Sequence, residues 1–440
     1  MLGNGLQAGF AKTIITPPEA GELSGFVARR GLSQGVHDPL YTRALVISNR
    51  KRQVALAVSD LIGCDNGMVR EIRRRVVLET DLAPEAVICC ATHTHSGPAV
   101  LERGFLGKAD SEYREFLITK ITATIVDATR STEPALLYAG NSECDIGKNR
   151  RYPGGATDPR VSVLRLEMSG GRRILWTNYA CHPVVLGPDN MLITADYPHY
   201  LIKKLESFWP ETEVLFTNGA TGDVNVGHNA ADSIRQTAIS SRTFAEAERL
   251  ANILADKVIA ASETAVYQDV DGITIQKAEL CLPFDKVLDG DGYRELADGY
   301  RQISVNCENY GERRQYEIWT QWADIMRDLA EQGYLEMGLT TEVTAFSIGN
   351  IEFVTLPGEF FHELGLSLRR SRAGKNLFIL GYANDSIGYV APASEYPKGG
   401  YEIEDSFRYY GLPSKLAAGA GETIVAVLEK MLSKSVTDRR

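Results

Sequence analysis

Two of the chain's seven histidines stand two residues apart in Thr92-His93-Thr94-His95-Ser96-Gly97-Pro98, at the end of a short apolar run over 86–91. Imidazole is the commonest metal ligand and the commonest general base near neutral pH. An apolar run bounded by turn residues reads as a buried strand, and Ser-Gly-Pro stops it. Side chains two apart in a strand share a face, so His93 and His95 are expected to look into one pocket. The competing reading is a pair of exposed loop histidines. Other apolar runs end the same way. Asp60 follows 53–58, His182 follows 173–180, Asp223 lies in the glycine-bearing loop after 213–217, and Glu359 follows 351–355. In open α/β sheets, ligands bind outside the carboxyl ends of strands. A turn or a helix cap explains any one of these residues; their recurrence at strand ends points to a shared site.

The elements that must position them alternate. Strand patterns cover 9–15, 41–47, 53–58, 86–91, 136–139, 161–167, 173–180, 213–217, 268–282, 341–348, 351–355 and 377–381. Helical spacing covers 66–79, 111–130, 197–207, 243–263, 360–370 and 414–432. Hairpins are expected around Ser169-Gly170-Gly171 and Gly349-Asn350. The charged, aromatic stretch 293–332 reads as a helical pair inserted near the pocket mouth, and the tyrosine-rich stretch 392–411 as an ordered loop. With no repeat and no composition break, the expectation is one α/β domain over 1–440. It has a mixed β-sheet core flanked by helices and the active site at strand C-terminal ends.

Bulk properties narrow the function. The chain has 440 residues and a net charge of −10, with no long basic run, so no nucleic-acid partner is expected. No apolar stretch approaches the roughly 18–20 residues that span a bilayer. Residues 1–8 lack the basic and apolar regions of a signal peptide. Seven cysteines without C-x-x-C spacing read as reduced thiols in a cytoplasmic protein. The expected partner is a small-molecule substrate; nothing here fixes the oligomeric state.

The motif His93-Thr94-His95-Ser96-Gly97-Pro98 resembles the signature of the neutral/alkaline (non-lysosomal) ceramidases. Tyr179-Ala180-Cys181-His182-Pro183 resembles that family's second histidine segment, and Pro357-Gly358-Glu359-Phe360 its P-G-E-F segment. Residues 384–389, with Glu395-Tyr396 and Tyr401-Glu402, resemble its tyrosine-rich segment. Order and spacing agree from about residue 9 to 432. The resemblance implies one zinc ion held by His93, His182, Glu359 and Tyr389. It implies that His95 serves proton transfer or oxyanion stabilisation, and that Arg150, in an Asn149-Arg150 pair, holds a polar substrate group. Arg150 reads equally as a surface arginine. Asp60 is a candidate for supporting a metal histidine or meeting substrate, and equally a turn aspartate. Asp223, Tyr396 and Tyr401 are further candidates for binding substrate.

The chain also departs from that family. Where ceramidases carry G-D-x-S-P-N with a catalytic serine, it has Gly222-Asp223-Val224-Asn225-Val226-Gly227. Asparagine cannot be activated as a hydroxyl nucleophile, though its N–H can donate to an oxyanion. The family's extra C-terminal β-domain is also expected to be absent. The reading is a zinc-dependent hydrolase acting on an amide or ester of a soluble substrate. The alternatives are a zinc lyase or isomerase on a sugar-derived polyol, and a metal-binding pseudoenzyme.

Overall fold

A computed structural model describes residues 5–49 and 51–437, so the first four residues of the 1–8 stretch lie outside the described part. The main sheet runs in spatial order Thr212–Asn218, Arg173–Tyr179, Arg160–Met168, Glu133–Glu143, Gln7–Ile14, Tyr41–Ser48, Gln53–Ser59, Val87–Ala91. It is mixed. Its two outermost pairs are parallel, Thr212–Asn218 with Arg173–Tyr179 and Gln53–Ser59 with Val87–Ala91, and the strands between them pair antiparallel. Several of these strands are buried on both faces, which is why they read as continuous apolar runs rather than alternating ones.

Helices Asn66–Glu79 and Ser111–Arg130 cover one half of the sheet's outer face, and Tyr197–Phe208 with Phe244–Glu263 cover the other. A second sheet, ordered Ile273–Pro283, Gly338–Ile348, Ile351–Thr355, Asn376–Leu380, packs on the inner face. Trp176 stacks on Phe353 at 5.1 Å and Phe353 on Phe346 at 4.4 Å between ring centroids. Rings of this kind bury roughly 150–250 Å² each, so this contact clamps the two sheets together. Helices His362–Ser371 and Ala420–Thr437 close the far side of the second sheet.

The two sheets meet where strand ends converge. An isolated bridge joins Cys90 to Ala383, Ala91 N–H donates to Tyr382 O at 3.1 Å, and Gly381 N–H donates to Asn218 O at 2.9 Å. The carboxyl ends of Val87–Ala91, Thr212–Asn218 and Asn376–Leu380 thus come to one place.

The pair Gly290–Asn306 and Tyr310–Glu331 is helical, as expected for 293–332. Two boundaries and one loop differ. The expected helix 360–370 starts at His362, because Glu359–Phe360 pairs as a short parallel strand with Tyr389–Val390. The final helix starts at Ala420, not 414. The expected loop 392–411 contains short helical turns, Ala393–Lys398, Tyr401–Glu404 and Ser406–Tyr410.

Candidate metal centre and substrate cleft

Beyond Ala91 the chain leaves the strand, so alternation is not what brings the two histidines together. His93 takes a left-handed backbone, φ 69°. Its N–H donates to Leu61 O at 2.9 Å, and Thr92 N–H donates to Ser59 O at 2.9 Å. The ring Nδ1 of His93 lies 2.6 Å from Ile62 O. A carbonyl only accepts, so Nδ1 carries the proton and Nε2 presents a lone pair. His182 is held the same way, with Nδ1 2.7 Å from Thr221 O and 3.1 Å from Val224 O. Its Nε2 lies 2.7 Å from Glu359 Oε2, and His93 Nε2 lies 3.5 Å from the same oxygen.

Two ring lone pairs therefore face one carboxylate oxygen in a buried pocket. Acceptors so placed repel unless a cation stands among them, and two nitrogens with one oxygen suit a divalent metal. The two backbone-locked Nδ1–H groups are the outer contacts that fix such ligands. Burial holds His182 below the ordinary imidazole value, so its lone pair stays available.

His95 is closer to this centre than a separate proton-transfer role requires. Its Nε2 is 3.2 Å from His93 Nε2, and one ring nitrogen from each of His93, His95 and His182 falls within 4.8 Å of the others. Burial, then the neighbouring His93, holds His95 well below the ordinary value. Gly25 presses on the ring: with φ +97°, a Cβ there would lie 2.5 Å from His95 Nδ1. Only glycine tolerates both the backbone and the approach.

Tyrosines wrap the centre. Tyr382, also left-handed at φ 54°, stacks on His93 at 3.8 Å, and its hydroxyl lies 3.3 Å from His182 Nε2 and bonds Thr221 Oγ1. Tyr410 donates its hydroxyl to Glu359 Oε1. The Tyr389 hydroxyl accepts from Arg150 Nη2 at 2.9 Å. Arg150 Nε donates to Glu402 Oε1 at 2.9 Å, and the other Glu402 oxygen takes Arg151 Nη1 at 2.6 Å. Burial raises the Tyr389 phenol well above its ordinary range, with Arg150 opposing.

The cleft has two lobes that meet at His95, Tyr389, Tyr401 and Tyr409. One, about 490 Å³, contains His93 and Glu359 and is otherwise walled by Ile62, Val100, Leu101 and Leu106. The other, about 570 Å³, carries Arg150, His228, Asn229, Ser233 and Arg242 set among Phe26, Val27, Val184 and Ile234; it is called the polar lobe for the first five. Helix Tyr310–Glu331 stands behind this mouth, with Trp319 against Tyr409 at 6.5 Å and Gly311 against Ile234.

Among the expected site residues, His93, His95, His182, Glu359, Tyr389 and Arg150 come together, and Tyr401 lines both lobes. Four others differ from expectation. Asp60 lines neither lobe; its Oδ2 is bound to Arg43 Nη1 and Tyr41 N–H, each at 2.9 Å. Asp223 accepts from His362 N–H at 2.8 Å and meets its Nδ1 at 2.7 Å, while its carbonyl takes Arg150 N–H at 2.9 Å. It positions Arg150 from behind the cleft wall. Tyr396 turns away, donating to Leu416 O at 2.8 Å. Asn225 reaches the polar lobe, but its amide closes a turn. Oδ1 accepts from Gly227 and His228 N–H at 2.7 and 3.0 Å, and Nδ2 donates to His228 O at 2.6 Å. Sequence reasoning missed Tyr382, His228 and Arg242. Tyr382 directly follows a strand end, so the strand-end rule could have found it; nothing local marks the other two.

Residues 6–218 match the family model described as neutral/alkaline non-lysosomal ceramidase, N-terminal. The neutral ceramidase of Pseudomonas aeruginosa is 24% identical over 471 aligned positions, which take in 90% of this chain and 68% of that protein. The crystal structure of neutral ceramidase from Pseudomonas aeruginosa superposes with a TM-score of 0.73 at 17% identity, covering 97% of this chain and 74% of that one. A structure described as ceramidase complexed with C2 gives a TM-score of 0.73 at 16% identity, covering 99% and 76%.

Proposed function

We propose that this chain, a member of the neutral/alkaline non-lysosomal ceramidase family, is a zinc-dependent hydrolase that cleaves an amide bond in a small molecule. The observation that carries the reading is the facing of His93 Nε2 and His182 Nε2 onto Glu359 Oε2, with both Nδ1 atoms tied to backbone carbonyls. Nitrogen and oxygen donors of this kind suit zinc. His93, His182 and Glu359 would hold the ion, with Tyr389 completing the set and His95 at its edge. When bound, zinc supplies Lewis acidity and lowers the pKa of a coordinated water toward 7.

The chain's own groups would do the rest. A substrate's scissile bond would lie at the junction of the two lobes, beside His95. His95 Nε2 is the atom through which a proton would pass to the departing amine, and burial keeps it unprotonated beforehand. Arg150 holds the Tyr389 oxygen in place while Glu402 balances the arginine's charge. Tyr401 and Tyr409 line the junction as well. Seven free cysteines are in keeping with a reducing, cytoplasmic setting, and no helix among the described residues is long and apolar enough to cross a membrane.

The test pairs metal analysis with a hydrolysis screen of N-acyl and O-acyl substrates, alongside free and phosphorylated sugars. The expected result is one zinc per chain and amide cleavage that disappears on chelation and in His182→Ala. Amide cleavage that survives both would rule the reading out.

A further inference from the structure

The polar lobe holds donors that the centre does not use. His228 is only 8% exposed, lines this lobe, and has no partner for its buried Nε2 among the described residues. Arg242 lines the same lobe. Its Nη2 donates to Ser233 Oγ at 2.9 Å, while its buried Nε has no partner among the described residues. No carboxylate among the described residues pairs with it within 4.0 Å; Asp189 and Asp232 act on it only through space. Arg29 adds to the charge. It sits behind the Phe26–Val27 wall, with Nη1 donating to Ser24 O and His95 O at 2.5 and 2.7 Å, and its buried Nε and Nη2 are unpartnered among the described residues. By contrast, Arg150 in the same lobe is already met by Glu402 and Tyr389.

Buried donors left unmade are costly, and each one in a folded protein calls for an explanation. Here one end of a substrate cleft carries an arginine that no carboxylate among the described residues meets within 4.0 Å, beside a histidine whose Nε2 has no partner among them. The other end is apolar. We propose that the polar lobe is a subsite for an anionic oxygen group, a carboxylate or a phosphate, on the amine portion of the substrate, with Arg242 and His228 as its contacts. The acyl portion then lies in the apolar lobe, past Leu101 and Leu106. This rests on the amide-hydrolase reading for the word substrate, but the subsite itself does not require cleavage.

Two matched pairs test it: an N-acylglycine against its uncharged glycinamide, and an N-acyl-O-phosphoethanolamine against the N-acylethanolamine. The wild-type holoenzyme should favour the charged member of at least one pair by about ten- to a hundredfold in kcat/KM, the range that a charge-assisted hydrogen bond typically carries. The favoured pair identifies carboxylate or phosphate. In Arg242→Gln and His228→Gln the ratio should fall toward one, with the loss in KM. In Arg249→Gln, which alters an exposed arginine paired with Glu246, the ratio should persist. Equal kcat/KM within both pairs in the wild type, or a ratio untouched by Arg242→Gln, overturns the proposal. If no amide is cleaved, the hydrolase reading fails on its own. Equilibrium binding of N-acetylglycine and of inorganic phosphate to the holoenzyme then decides the subsite. Weaker binding in Arg242→Gln upholds it, and equal or absent binding overturns it.

Discussion

Glu359 and Tyr389 are in-register partners of a two-residue parallel ladder. Glu359 N–H donates to Gly388 O at 2.9 Å and Phe361 N–H to Val390 O at 3.0 Å, so backbone bonds set carboxylate and phenol side by side. Gly222 lets this ladder lie against the loop whose Thr221 and Val224 carbonyls hold His182, since a Cβ there would come within 2.4 Å of Glu359 O. The placement of both side chains is therefore a backbone property, and substituting either one should leave the other where it is. Purified His93→Ala and His182→Ala should lose nearly all zinc. Glu359→Gln should lose less, because an amide oxygen still coordinates, and Tyr389→Phe should keep the ion while turnover falls. Full zinc in both histidine variants would sink the assignment.

Glu402 neutralises two arginines at once, Arg150 and Arg151, with all three side chains under a tenth exposed. Removing one partner of a buried ion pair typically costs roughly 3–5 kcal/mol. Glu402→Ala should lower the stability measured in urea by that order, and slow turnover because Arg150 no longer holds Tyr389. Arg150→Lys should fail to restore activity. A single ammonium cannot supply both the Nε bond to Glu402 and the Nη2 bond to Tyr389. Wild-type kcat in Arg150→Lys would show the fork geometry to be irrelevant.

Asn225 occupies the serine position of the family pattern, but its three side-chain hydrogen bonds go to the turn that carries His228. Asn225→Ser should gain no ceramide hydrolysis, since the shorter side chain loses part of that turn without recreating the ceramidase loop. Asn225→Ala should reduce activity while zinc content stays unchanged. Substantial ceramide cleavage by Asn225→Ser would mean that the one substitution decides the substrate.

Asp196 gives a pH signature separate from the metal. Burial lifts its carboxyl from 3.8 to about 6, although three backbone N–H groups bond it. The native state therefore holds a proton that the unfolded chain has released between those values. Folding is favoured at the acidic end of the window and weakened as pH rises through 6. A rise of this size corresponds to about 3 kcal/mol. Asp196→Asn keeps the size of the side chain and removes its titration. Relative to that variant, the wild type should gain stability as the pH is lowered from 7 toward 4 in chemical denaturation. A flat difference would refute the buried-acid account.

Strand ends are legible because buried strands are continuous apolar runs, and four of the expected residues come together just beyond such ends, His93, His95, His182 and Glu359, with Tyr389 joining them from the tyrosine-rich segment. Asp60 and Asp223 have the same sequence position, yet they are consumed by Arg43 and His362, partners 17 and 139 residues away. No local pattern separates a strand-end acid that faces a cleft from one that finds a distant base. Phe360, in the ladder that holds Glu359, reads as the start of a helix because two residues carry too little period to be recognised. The polar lobe was invisible for a similar reason. Its walls come from the turn at 225–228 and from Arg242, which mean nothing chemically until the loops fold beside His95.

His93 is asked for two things that no single side chain satisfies well. Its backbone sits at φ 69°, where glycine is at ease and a ring-bearing residue is not. Its side chain must still be an imidazole with Nδ1 on Ile62 O. Glycine at this position would relieve the backbone, but it would leave Ile62 O unmet and a void against Tyr382, so the fold as well as the centre depends on the imidazole. Selection for durability and selection for activity therefore both keep the ring, against a backbone that resists it, at a single α-carbon.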